Sequence, residues 1–198
     1  MNTREKILEA VLKNQPPAKP LPDISFLKGN EQDPVEKFKQ VFAGIGGKVF
    51  TVDSLEAIKD LVRANFDTSK RLITTLPELT GVAELLSPGV DPHSFDDVEL
   101  ALIQASFSVG ENGAVWFNET LMGQRIVPYI CQHLAAVIYA STIVSTMHEA
   151  YEKIGSDQYG FGSFIGGPSK TADIEQALVM GAHGPITMTV FVVTDGLQ

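Results

Sequence analysis

The sequence contains very little cysteine and no long apolar run. Cys131 is the one cysteine among 198 residues, which excludes an internal disulfide and a cysteine-ligated cluster made by this chain alone. The longest uninterrupted apolar stretch, LAAVIYA, is too short to cross a bilayer. The amino terminus has scattered charges and lacks the apolar region of a signal peptide. We therefore expect a cytoplasmic protein without a membrane span.

Basic residues are also scarce. Lys and Arg total 15 against 24 Asp and Glu, which gives a net charge of −9. A nucleic-acid partner is not expected, because neutralisation of phosphates supplies most non-specific affinity. The four histidines, at positions 93, 133, 148 and 183, are scattered and lack ligand spacing, so no metal site is predicted.

The chain divides at a proline-rich segment. Residues 1–14 show a helical repeat of apolar side chains, and NQPPAKPLPD follows with four prolines in ten residues. These features predict an N-terminal helix and linker over residues 1–32, and one domain over residues 33–198. We expect the helix to dock on the surface or on a neighbouring subunit rather than to join the core.

From residue 34 onwards, strand-like and helix-like segments alternate. The predicted strands include KVFTV, RLITT, HLAAVIYA, GSFIGG, ITMTVFVV and two short strands within FSVGENGAVWF. The predicted helices include DPVEKFKQVFAG, a helix capped by Ser54, PELTGVAELL, DDVELALIQA, STIVSTMHEAYEKI and TADIEQALVM. This alternation predicts an α/β fold: an open, mostly parallel, Rossmann-like sheet with helices on both faces.

The segment IGGPSKTADIE follows a predicted strand and opens a predicted helix. In such a sheet, ligands bind in the crevice at the carboxyl ends of the strands. One interpretation is therefore an anion site, and the other is a capped helix whose first turn carries acidic residues. The candidate ligand-binding residues of this segment are Gly166, Gly167, Ser169, Lys170, Thr171 and Asp173. His183, in a glycine-flanked bend before a strand, is a further candidate.

A second candidate is the turn in SVGENGAVW, which joins two short strands. Asn112 and Gly113 form an Asn-Gly pair, a strong signal for a tight turn, and they are also candidate ligand-binding residues. Glu111 is then either a turn residue or a carboxylate nucleophile or base at the tip of a loop. Both interpretations remain open, and we expect this turn, the 166–173 segment and His183 to face one cleft.

The segment GPSKTADIEQALVMGAHGP resembles the closing signature of the LUD domain, as found in the lactate-utilisation protein C family. There the motif is close to G-P-S-R-T-A-D-I-E followed by L-G-x-H-G-P, and the match runs from Gly167 to Pro185 with Lys170 in place of Arg. The family's A-E-T-G element corresponds to GENGAVWF, with Asn112 in place of Thr. RIVPYICQHLAAVIYASTIV resembles the family's strand-then-helix segment. The resemblance covers residues 34–193.

This resemblance implies a fold of the NagB/RpiA/CoA-transferase group and a role in oxidising lactate to pyruvate beside iron–sulfur partner proteins. It implies that the iron–sulfur cluster lies in those partners and that no cofactor is bound by this chain alone. One hypothesis is an accessory subunit that binds a small carboxylate or phosphorylated ligand. The alternative is a stand-alone acyl- or CoA-transfer enzyme, because GENGAV is similar to the Ser-Glu-Asn-Gly element of class I CoA-transferases. Glu111 would then be the nucleophile or base. A homo-oligomer is a further open expectation.

Overall fold

The computed structural model describes residues 2–27, 33–87, 89–155, 159–174 and 177–194, without the side chains of 172–174, 177 and 178. The helices are α1 Thr3–Lys13, α2 Pro34–Gly44, α3 Leu55–Asn65, α4 Glu119–Met122, α5 Val127–Ile130 and α6 Met147–Ile154. The strands are β1 Lys48–Val52, β2 Arg71–Thr74, β3 Glu84–Leu85, β4 Val98–Gln104, β5 Phe107–Ser108, β6 Val115–Asn118, β7 His133–Tyr139, β8 Gly162–Ile165, β9 Lys170–Ile174, β10 Ala177–Met180 and β11 Thr187–Val193.

Six parallel strands form the main sheet, in the order β1-β11-β7-β4-β2-β3. The central strands β7 and β11 are long apolar runs, because a parallel sheet is covered on both faces. Strand β1 lies at one edge and pairs with β11, in a register that places Lys48 opposite Thr189. The predicted fold class, α/β with a mostly parallel sheet, is confirmed.

Helices cover both faces of this sheet. Helix α2 buries Phe38 and Phe42 on one face, together with alternate residues of the central strands. Helix α3 buries Ile58 and Val62 on the other face. The caps Asp33 and Ser54, which accept backbone hydrogen bonds from the first turns of α2 and α3, fix where these two helices begin.

A small antiparallel sheet, in the order β5-β6-β8, packs on the α2 side of the main sheet. Val115 and Phe117 of β6 point into the core below it. The opposite face carries Phe107 and Trp116, which pack with helix α6 in a separate apolar cluster. This sheet positions the Glu111 turn, which joins β5 to β6.

Three helix predictions are wrong, and a fourth is right only in part. DDVELALIQA contains β4, and PELTGVAELL contains a 3₁₀ turn, Pro77–Leu79, and the edge strand β3. The described residues of TADIEQALVM, which leave out 175 and 176, lie in the antiparallel strands β9 and β10. These segments are rich in Leu, Ala and Glu, which favour helices locally, but pairing with neighbouring strands overrides that weak preference. In STIVSTMHEAYEKI the α-helix begins only at Met147.

Helix α1 forms as predicted, and none of its residues is buried. It begins with a capping box in which Asn2 and Glu5 exchange hydrogen bonds. Its apolar side chains are largely exposed, Leu12 to 72%. Residues 28–32, around the predicted domain boundary, lie outside the described residues, so that boundary stays a prediction.

Within the described part of the chain, we find no helix that combines the length and the apolar character needed to cross a membrane.

Candidate functional site

The Glu111 turn, residues 110–113, is a tight turn held by its own backbone. The amide of Gly113 donates to the carbonyl of Val109 at 3.0 Å, and Oδ1 of Asn112 accepts from the amide of Ala114 at 3.0 Å. Gly113 has a φ of +72°, a conformation that glycine adopts without steric cost. The tight-turn interpretation of Asn112 and Gly113 therefore describes their observed geometry.

The same turn is fastened to the segment that leads into α6. The amides of Gly110 and Glu111 donate to the carbonyls of Val144 and Ser145, at 2.8 and 3.0 Å. The Glu111 carboxylate, Oε2, accepts from the amide of Met147, the first residue of α6, at 2.9 Å. A carboxylate at a helix N-terminus is stabilised by the unpaired amides and the helix dipole. Exposed Glu111 thus has a structural partner.

The two glycines of the turn also lie against helix α2. A Cβ atom on Gly110 would be 3.0 Å from the carbonyl oxygen of Pro34, at the start of the helix. A Cβ atom on Gly113 would be 3.1 Å from Cδ1 of Ile45, just beyond its end. A Cβ atom at either position would crowd α2, so close packing favours glycine at both and adds to the positive φ of Gly113.

The segment that carries Gly166 and Gly167 approaches the same end of α2. The ladder of β6 and β8 pairs Val115 with Ile165, so continuing this register places 113–114 opposite 166–167. A Cβ atom on Gly167 would be 3.2 Å from the carbonyl oxygen of Ile45, and Gly167 has a φ of +81°. The structure thus brings the Glu111 turn and this segment together around Ile45.

Lys170 also contacts Ile45, and the bend that carries His183 is hydrogen-bonded to the neighbouring Ser169. The ammonium group of Lys170 donates to the carbonyl of Ile45. The amide of Ser169 donates to the carbonyl of Pro185 at 2.9 Å, and its carbonyl accepts from Gly181 at 3.1 Å. His183 is exposed within the bend thus attached to Ser169.

The hairpin corrects the predicted chemistry of this segment. Strand β9 begins at Lys170, so Ser169 and Thr171 do not cap a helix, and no helix N-terminus gathers amides there for an anion. Oγ1 of Thr171 donates across the hairpin to the carbonyl of Val179 at 3.3 Å. The backbone of Asp173 lies in β9, and its side chain lies outside the described residues.

The expected edge of the sheet is also wrong for the 166–170 segment and His183. Ile45 precedes β1, the His183 bend precedes β11, and the amide of Ile186 donates to the carbonyl of Gln132, which precedes β7. These contacts lie at the amino ends of the parallel strands, whereas the sequence predicted the carboxyl ends. The binding roles of these residues stay predictions.

A pocket of about 260 Å³ on this amino edge involves residues that the sequence did not single out as candidates. His133, at the start of β7, has Nδ1 2.7 Å from Oγ1 of Thr187, at the start of β11. Glu99 of β4 accepts from Lys70 at 3.0 Å and lies 3.6 Å from Nε2 of His133. Desolvation lowers the pKa of His133; the negative charge of Glu99 opposes this effect, and Lys70 and Lys48 add to it. The sequence does carry one signal for this pocket: positions 99, 133 and 187 are polar, and each lies at or near the start of a strand.

Among the side chains that the structure describes, no group of three or more His, Cys, Asp or Glu could hold a metal ion. Cys131 is buried, and burial raises the pKa of its thiol to about 12.

The sequence model of the LUD domain matches residues 92–193, which include the Glu111 turn and the His183 bend. The chain belongs to the LUD domain family. A protein named lactate utilization protein C from Geobacillus kaustophilus is 32% identical over 168 residues, covering 79% of this chain and 67% of that protein. Its namesake from Geobacillus sp. strain WCH70 is 38% identical over 112 residues, covering 52% and 46%.

A third relative, lactate utilization protein C 1 of Bacillus mycoides, is 34% identical over 104 residues, covering 49% of this chain and 44% of that protein. The LUD-domain chain therefore spans between 44% and 67% of the length of these relatives. A crystal structure of a DUF162 family protein from Deinococcus radiodurans superposes with a TM-score of 0.63, covering 83% of this chain and 99% of that chain. Its 17% sequence identity supports the shared fold alone.

Proposed function

We propose that this LUD-domain protein takes part in lactate utilisation as an accessory subunit that works with iron–sulfur partner proteins in the cytoplasm. The observation that carries the proposal is the 32% identity, over 79% of the chain, to a protein named lactate utilization protein C. The single cysteine agrees with it, since a cluster ligated by cysteines needs more thiolates than this chain has.

The accessory role is favoured by the use that the chain makes of Glu111. Its carboxylate accepts a hydrogen bond from the first amide of α6, and its two neighbouring glycines pack on α2. A nucleophilic carboxylate must instead be free to reach a bound acyl group. The CoA-transfer alternative therefore rests on the similar sequence of the turn, whereas the Glu111 carboxylate already accepts a hydrogen bond from Met147.

Deletion of the gene in the source organism tests the pathway. The deletion strain should fail to grow on L-lactate as sole carbon source and grow normally on glucose, and the intact gene should restore growth. Purified protein alone should not reduce a dye with L-lactate, and activity should appear when the iron–sulfur partner proteins are added. Growth of the deletion strain on lactate at the parental rate would overturn the proposal.

Complementation with Glu111→Gln separates the two hypotheses. The amide keeps an oxygen that accepts from Met147 but cannot act as a nucleophile, so an accessory subunit carrying it should restore growth on lactate. If the variant fails while its melting temperature is unchanged, and the purified wild-type chain exchanges CoA between carboxylates, the enzyme hypothesis replaces the accessory one.

A further inference from the structure

The pocket beside His133 has features of a ligand site at an edge of the sheet where none was expected. It lies between the amino ends of β1, β4, β7 and β11, and Phe50 and Phe66 line it together with polar side chains. Its volume of about 260 Å³ is near the lower end of small-molecule pockets. A small molecule, not a large cofactor, matches this size.

Some polar groups of the pocket already have a partner and others do not. Glu99 is 16% exposed and is paired with Lys70, and the imidazole of His133 is bonded to Thr187. Lys48, at the start of β1, makes no ion pair with any residue that the structure describes. Asp67 also lines the pocket, and its Oδ1 accepts hydrogen bonds from the amide and the hydroxyl of Ser69. Among the described residues, Lys48 is thus the charged group of the pocket that has neither an ion pair nor a hydrogen bond, and an anionic group would supply one.

The aromatic walls of the pocket, Phe50 and Phe66, indicate what the rest of the ligand should be. Phe66 lies 5.8 Å from the imidazole of His133, centroid to centroid, and Phe50 stacks on Phe191 at 5.7 Å, so both rings are fixed in place. Fixed aromatic side chains contribute apolar contact area at little entropic cost. A bare inorganic anion would use the lysine and leave these walls unused.

We propose that this pocket binds a small organic carboxylate, with its carboxylate group on Lys48 and its apolar body against Phe50 and Phe66, beside the imidazole of His133. The described residues that line the pocket include none from the Glu111 turn and none from the His183 bend. It is tested by direct binding to the purified chain, so its failure would leave the proposed role in lactate utilisation untouched, and the reverse also holds.

Benzoate is a suitable probe, because it joins a carboxylate to a planar apolar ring, and benzamide is its neutral counterpart. The ring resonance of His133, assigned with a His133→Gln variant, should shift on addition of millimolar benzoate, as expected for a ligand of this size. Benzamide and inorganic phosphate should bind at least tenfold more weakly. Equal affinity for benzamide, or no shift of His133, would overturn the proposal.

Substitutions of Lys48 test its role in binding the carboxylate. Lys48→Met should weaken benzoate about tenfold, which corresponds to the loss of one charge-assisted contact. Lys48→Arg should retain binding, and Lys19→Met, in the exposed linker, is the control for the charge change. Since Lys48 is exposed, all three variants should keep the wild-type melting temperature. Undiminished binding by folded Lys48→Met would contradict the assignment.

The protonation of His133 gives an independent measurement. Glu99 from β4, Lys70 from the loop before β2, and Lys48 from β1 are the charged groups that act on the imidazole, and Asp67 also lines the pocket. A bound carboxylate adds a negative charge and should raise the midpoint of the His133 titration, whereas benzamide should not. An unchanged midpoint at saturating benzoate would show that the carboxylate lies away from His133.

Discussion

At the scale of single residues, Gly113 of the Glu111 turn allows a test of how much its backbone conformation contributes to stability. Gly113 combines a positive φ with close contact to Ile45 and Phe42. Gly113→Ala should lower the free energy of unfolding by about 1–3 kcal/mol, because an L-residue is strained there. Gly44→Ala is the matched control: Gly44 ends α2 with open space around it, and the change should raise stability by up to about 1 kcal/mol. Urea titration measures both.

Glu111 allows a second test at the same scale. Its carboxylate accepts from the first amide of α6, so Glu111→Ala should cost about 1 kcal/mol, as loss of a helix cap does. Glu111→Gln should cost less, since it keeps the acceptor and loses the interaction of charge with the helix dipole. Chemical denaturation of the two variants compares them. Equal stability of Glu111→Ala and wild type would leave the carboxylate without a structural role.

At the scale of elements, local signals succeeded where one side chain decides a boundary. The caps Asp33 and Ser54 begin α2 and α3 as predicted, and the Asn-Gly pair gives the β5–β6 turn. They failed for β4 and for the β9–β10 hairpin, whose residues favour helix until neighbouring strands pair with them. The amino-edge pocket was missed for a related reason: its residues come from different strands and meet only after the sheet forms.

Helix α1 is expected to contribute little to the stability of the domain. Because none of its residues is buried, removing residues 1–22 should leave the melting temperature of the rest within about 2 °C, the shift produced by about 0.5–1 kcal/mol in a domain of this size. The far-UV circular dichroism should lose helical signal in proportion to the helix removed. A fall of several degrees would show that the helix packs on the domain or on a second copy.

At the scale of the whole molecule, Cys131 reports on global opening. Its side chain is 2% exposed, and burial raises the pKa of its thiol to about 12. Since the thiolate is the reactive form, a disulfide reagent at neutral pH should label native protein only through unfolding. The labelling rate should rise with urea in parallel with the unfolded fraction measured by circular dichroism. Rapid labelling without denaturant would mean that the region of Cys131 opens locally.

The pairing of β1 with β11 also has a consequence for synthesis of the protein. Lys48 pairs with Thr189 and Val52 with Val193, so residues made early in translation wait for residues made much later. A ribosome that stalls after β7 leaves β1 unpaired and one edge of β7 open, both rich in β-branched and aromatic side chains. Such edges aggregate and attract chaperones. Yield of folded protein should therefore depend on uninterrupted translation of the region that encodes residues 140–186.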